Sequence, residues 1–190
     1  MKTNNLSLYL FRPFVKIAGW KAFFIGLIIM AITGFTATYA GISFNGALDF
    51  HFLNNITFTS SFLTLTIDII CITICMAVIG LFITKNFRFI DILGTMTLAK
   101  APFLIAAIAA LFVKAPDTKE ILQNPLIILS YPAFILMTIL SLPVLIWSIA
   151  LMYNAFTISI GKKGSEVVIG FIIALLLAET ISKILIFFLI

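Results

Sequence analysis

Asp68, Lys100, Glu179 and Lys183 stand deep inside long apolar runs, where a lone charge costs about 2.5–3.5 kcal/mol on insertion scales. Counted from the basic end of each run at a rise of about 1.5 Å per residue, Lys100 lies about 16 Å in and Glu179 about 18 Å in. Asp68 and Lys183 both come out at about 24 Å. Opposite signs at matching depths predict pairs of Lys100 with Glu179 and of Asp68 with Lys183. Because Glu179 and Lys183 are one helical turn apart, they form an alternative pair with each other. The expected role is a structural ion-pair lock between helices, and the alternative is a proton or ion relay. Gly170, Ala174, Ala178 and Ser182 recur every four residues beside Glu179 and Lys183, a small-residue stripe that suits close helix approach.

A second set of candidates is basic and lies between the apolar runs. Arg12, Lys16 and Lys21 stand among Leu6–Trp20, whose aromatic and aliphatic residues, Tyr9 and Trp20 among them, give it the character of an interfacial segment. Lys162 and Lys163 sit in Gly161-Lys-Lys-Gly164, a turn without Walker spacing or a preceding strand. These five residues are candidate contacts for lipid headgroups or for an acidic partner surface, besides their role in setting topology.

Other motifs carry less. Cys71 and Cys75 share a helix face but lack zinc spacing, and are expected to be free, packed thiols. His51, the single histidine, is expected in an exposed loop beside Asp49 with no second member for a dyad or metal site. Asn55-Ile-Thr57 matches a glycosylation sequon and is read as chance. No nucleophile–base pair, metal cluster or nucleotide fingerprint is present, so neither an enzyme nor a cofactor is expected.

The elements that hold these residues follow from composition. Of 190 residues, 63% are hydrophobic and 10% charged, too apolar for a soluble core of that size. The reading is an all-α, polytopic transmembrane helix bundle. A helix crossing a bilayer core of about 30 Å needs about 20 apolar residues, and five runs qualify: Ala22–Ile42, Phe62–Thr84, Phe89–Val113, Leu126–Phe156 and Val167–Ile190. Residues 1–21 form a cytoplasmic or interfacial segment and 22–190 the membrane domain. The first run is longer than a signal-peptide core and is expected to remain. The intervening stretches, Ser43–Ser61 included, are expected to pack as simple loops. Pro132 and Pro143 fall inside the fourth run and predict a kink or tilt, with Pro125 near its start.

Lys2, Arg12, Lys16, Lys21, Lys85, Arg88, Lys162 and Lys163 collect on one side, against Lys114 and Lys119 on the other, where Asp117 and Glu120 offset them. The positive-inside rule then places the N-terminus in the cytoplasm. The net charge of +5 fits this topology better than a nucleic-acid partner, which is not expected.

Phe87-Arg-Phe-Ile-Asp91-Ile-Leu-Gly94-Thr-Met-Thr-Leu-Ala-Lys100-Ala-Pro102 resembles the start of the third span in the bacterial branch of the YIP family, the Ypt/Rab-interacting integral membrane proteins. Trp147-Ser-Ile-Ala-Leu-Met-Tyr-Asn154, the Gly161–Gly164 turn and Gly170–Lys183 are similar to that family's last two helices and basic turn, and Arg12-Pro13 followed by Trp20 is similar to its N-terminal part. The resemblance implies a non-enzymatic YIP-domain protein of a bacterial plasma membrane that organises membrane or membrane-protein assembly. Its partners would be the lipid bilayer, other membrane proteins or a second copy of itself. Eukaryotic relatives act with Rab-type GTPases through a cytosolic N-terminal region. Here the chain enters the membrane near Ala22, which speaks against GTPase binding. The alternative function is a small transporter or channel subunit that uses the intramembrane charges.

Overall fold

The structure is a computed structural model that describes residues 10–53 and 56–190. Lys2, the Leu6–Tyr9 part of the interfacial segment and Asn55 of the sequon lie outside the described residues. After a 3-10 turn at Pro13–Val15 come α1 (Gly19–Ala40), the strands β1 (Ile42–Phe44) and β2 (Phe50–Phe52), and α2 (Phe58–Ile83). The third span is divided into α3 (Phe89–Ala99) and α4 (Pro102–Ala110). A short α5 (Thr118–Gln123) and a 3-10 turn at Pro125–Ser130 lead to α6 (Pro132–Ile160) and α7 (Ser165–Leu189). Five helical segments, with α3 and α4 counted together, are long and apolar enough to cross a membrane. The expected all-α bundle of five spans is therefore the observed architecture.

Composition explains the arrangement of the helices. The third span, rich in Gly, Ala and Thr, lies at the centre, with α1 along α3, α6 across α3 and α4, and α2 against α3. Small side chains bring backbones close: a Cβ on Gly26 would lie 2.7 Å from the amide of Leu98, and one on Gly94 would collide with the carbonyl oxygen of Gly19. On the other flank, α7 packs along α2. Its stripe of Gly170, Ala174, Ala178 and Ser182 is buried throughout.

Three boundaries differ from expectation. The third span is not continuous: Ala101, Phe103 and Leu104 each donate to the carbonyl three residues back, so the helix tightens around Lys100. Pro102 has no N–H to continue the α ladder, and in a continuous helix its ring would crowd the Leu98 carbonyl. The fourth span begins at Pro132, which occupies the first helical position rather than the interior, leaving Pro143 as the internal proline. Pro125 opens the preceding 3-10 turn.

The third difference is the largest. Ser43–Ser61 does not pack as a simple loop. Its first part is an antiparallel hairpin, with Ile42 opposite Phe52, Ser43 opposite His51 and Phe44 opposite Phe50, and it is inserted into the bundle. Ile42, Phe44 and Ala47 are fully buried. The Phe44 and Phe50 rings lie 5.5 and 6.1 Å from that of Phe103, which belongs to the first turn of α4 midway along the third span. The chain then returns to Thr57, whose hydroxyl accepts from the amide of Ser60 while the Ser60 hydroxyl accepts from the amide of Thr57, capping α2.

The close α1–α3 contact generates a prediction. Gly94→Ala forces the Gly19 backbone away and should destabilise the fold by about 1–3 kcal/mol. Gly80→Ala, which meets only the side chains of Ile160 and Phe87 at 3.3 Å, should cost less. Thermal unfolding in detergent micelles checks the order of the two.

Candidate functional site

The four intramembrane charges converge, but not in the pairs that depth alone predicts. Lys100 Nζ lies 3.7 Å from Asp68 Oδ2, and Lys183 Nζ lies 2.9 Å from Glu179 Oε1. The leading expectation, Lys100 with Glu179 and Asp68 with Lys183, is thus corrected. The one-turn alternative for Glu179 and Lys183 is the arrangement present. What separates Lys100 from Glu179 is the hairpin tip. The Gly46 carbonyl accepts from Lys100 Nζ at 3.4 Å, while a Cβ on Gly46 would lie 2.7 Å from both Glu179 carboxylate oxygens.

Gly46 is required twice over, because its φ of +134° is a conformation that L side chains rarely adopt. The Glu179 carboxylate accepts the amide of Leu48 at 2.8 Å. Two charged side chains from two spans thereby hold the backbone of one tip. Within the tip, the Ser43 hydroxyl donates to Asn45 Oδ1 at 2.8 Å, and the Asn45 amide lies 3.4 Å from His51 Nε2. His51 is accordingly half-buried in β2 rather than loose in an exposed loop.

Asp49 completes the cluster. Its carboxylate meets Lys183 Nζ at 3.0 Å, so one ammonium bridges the hairpin and α7. Asp49, Asp68 and Glu179 face Lys100 and Lys183, which leaves the cluster one negative charge in excess when all five are ionised. The centre is graded: Asp68 and Lys100 are buried, whereas Lys183 and Asp49 are about half exposed. At 3.7 Å the inner pair exceeds hydrogen-bond distance, and both Asp68 oxygens are buried without a hydrogen-bond partner among the described residues.

Sequence reasoning passed over the tip residues Gly46 and Leu48 and the role of Asp49. A signal was present: Ile42-Ser-Phe44 and Phe50-His-Phe52 alternate in polarity around Asn45-Gly46, the pattern of a hairpin with a turn.

The basic candidates occupy the opposite end of the bundle. Lys21 is exposed in the first turn of α1, and Lys16 is exposed at the end of the Pro13–Val15 turn. Lys162 donates to the Ile83 carbonyl at 2.7 Å, serving the last turn of α2. Arg12 and Lys163 are exposed and both line a cavity beside the end of α6. Arg88 forms a two-bond pair with Asp91, at 2.9 and 3.1 Å, and hydrogen bonding to that carboxylate raises the Arg88 pKa above its ordinary value. Cys71 and Cys75 are buried and free, and no group of metal-ligating side chains occurs among the described residues.

Removing one member of the inner pair strands the other. Lys100→Met or Asp68→Asn alone should cost about 3–5 kcal/mol, and the two together less than the sum of the singles. Lys183→Met, at a half-exposed site, should cost less than either. Chemical or thermal denaturation in detergent checks these values, and strict additivity of the inner pair would dissolve the proposed coupling. No family model matches the chain, and comparison with characterised proteins and with solved structures finds no match either, so the assignment of this site rests on its own geometry.

Proposed function

We propose that the chain is a YIP-domain-like integral membrane protein of a bacterial plasma membrane, without enzymatic activity, that organises lipids and membrane-protein partners from its basic, cytoplasmic end. The observation that carries this reading is the division of charge. The intramembrane charges are engaged with one another and with the hairpin backbone, which suits a lock. Arg12, Lys21, Lys85 and Lys163 are exposed and make no ion pair among the described residues, which suits attraction to anionic headgroups. The positive-inside rule places that end in the cytoplasm. Outward apolar side chains of α6 and α7, such as Leu136, Ile146, Ile169 and Leu176, supply the surface for lipid chains or for neighbouring helices.

A second reading, a small transporter or channel subunit, has its own support. The third span breaks beside Lys100, non-helical backbone enters the bundle, and the Asp68 carboxylate has no hydrogen-bond partner among the described residues. Broken helices at mid-membrane accompany ion and substrate sites in transporters.

Passive proton and cation flux in proteoliposomes separates the two readings. The intact chain and the Asp68→Asn, Lys100→Met double variant should both be silent, with the variant still folded. Flux through the intact chain that the folded variant abolishes would establish the transporter reading in place of the first.

A further inference from the structure

We infer that the cavity between the N-terminal segment and the end of α6 binds the phosphate of an anionic phospholipid headgroup. The inference deepens the reading of the basic end as the lipid-facing, cytoplasmic end and rests on it. The cavity has a volume of about 200 Å³, and Arg12, Tyr153, Asn154, Thr157 and Lys163 supply its polar lining.

Each of these groups is brought there by a separate local cause. Arg12 precedes the Pro13–Val15 turn and is held between two anchors. On one side Phe14 is buried in the core, and on the other the Trp147 indole N–H donates to the Leu10 carbonyl at 2.9 Å. Lys163 reaches the cavity because Gly161 ends α6 with φ +66° and the turn sends the two adjacent lysines apart. Lys162 goes to the Ile83 carbonyl, and Lys163 lines the cavity with Arg12. Tyr153, Asn154 and Thr157 share one face of α6. The Tyr153 ring is set edge-on to Phe171 at 5.4 Å. The Asn154 amide donates one hydrogen to the Ala150 carbonyl and keeps a second, and the Thr157 hydroxyl bonds the Asn154 carbonyl.

The lining thus carries two positive charges and no carboxylate. A guanidinium and an ammonium lining one cavity, with amide and phenol donors in the same lining, match the oxygens of a phosphate: Arg supplies paired, planar donors and Lys a compact charge. Size limits the occupant, since sites that enclose a drug-sized ligand run about 300–1,000 Å³. A headgroup fits while its chains stay outside. Apolar neighbours favour a lipid diester over free phosphate: Val15 and Ile158 line the cavity, and Val15 and Phe11 are 62% and 51% exposed.

Native mass spectrometry of the delipidated full chain, titrated with phosphatidylglycerol or phosphatidylcholine, tests this. One phosphatidylglycerol should be retained per chain. Arg12→Gln with Lys163→Gln should weaken it by at least about ten-fold, the worth of one charge-assisted hydrogen bond, with thermal unfolding unchanged. Lys21→Gln with Lys85→Gln, which removes the same charge elsewhere on the basic end, should leave retention intact. Equal weakening by both double variants would overturn the cavity and leave the lipid-facing reading standing. Equal retention of the two lipids would overturn both. Protection against unfolding by inorganic phosphate, with no lipid retained, would assign the cavity to free phosphate and overturn the lipid as its source.

Discussion

Hydrocarbon offers a peptide group no hydrogen-bond partner, and each unsatisfied one costs several kcal/mol, so backbone outside a helix enters a membrane only where protein completes it. The hairpin between α1 and α2 brings such backbone to the middle of the bundle, and most of the unusual residues follow from that. Glu179 receives the Leu48 amide and Lys100 reaches the Gly46 carbonyl. Neither charge is tolerable there alone. Lys183 and Asp68 are the counterions, and Asp49 ties the outer ammonium back to the hairpin that created the need. The charges and the hairpin are therefore one device, and Gly46 is the place where they touch.

The same demand shapes the third span. A continuous helix would carry its ladder straight past Lys100. Instead Pro102 interrupts it, and bonds to the third residue back close the turn around the lysine. The residues just beyond the break pack on the hairpin through Phe103, whose ring lies 5.0 Å from Lys100 Nζ. Face-on attraction between an ammonium and an aromatic ring adds to the stabilisation of a buried charge. Around this point the helices approach on small residues, Gly26 and Gly94 on one flank and the Gly170–Ser182 stripe on the other.

What was legible in the sequence divides along physical lines. Spans of about 20 apolar residues are a strong, additive signal, and their number and order were readable. That Asp68, Lys100, Glu179 and Lys183 needed partners followed from the cost of charge. Which partners they took did not, because counting residues along a helix measures height and says nothing of azimuth or of what is wedged between. Gly46 is that wedge. The hairpin escaped notice since three-residue strands lie below the length at which alternation speaks clearly, and a polar stretch between two spans looks like solvent-exposed loop. The Arg12–Lys163 cavity was half legible: both residues stood out as basic and interfacial. That a buried Phe14 and a left-handed Gly161 would set both at one cavity is a property of the folded backbone.

The two ends of this charge distribution obey one rule in two solvents. Inside the bundle, no lysine is left without a carboxylate among the described residues, and the cluster balances to within one charge. At the basic end, water and lipid phosphate can do what a carboxylate does inside, so an unpaired cation there carries little cost and remains available. A protein that locked its own fold with surface charges would have none to offer. This one meets its internal demand with Asp68, Glu179 and Asp49, and Arg12, Lys21, Lys85 and Lys163 make no ion pair among the described residues, whereas Arg88 is held by Asp91. Lys162 marks the boundary: it is in the same turn as Lys163, yet it donates to the Ile83 carbonyl at the end of α2. Of two adjacent lysines, one completes the fold and the other is left exposed, where the proposed reading gives it a lipid phosphate.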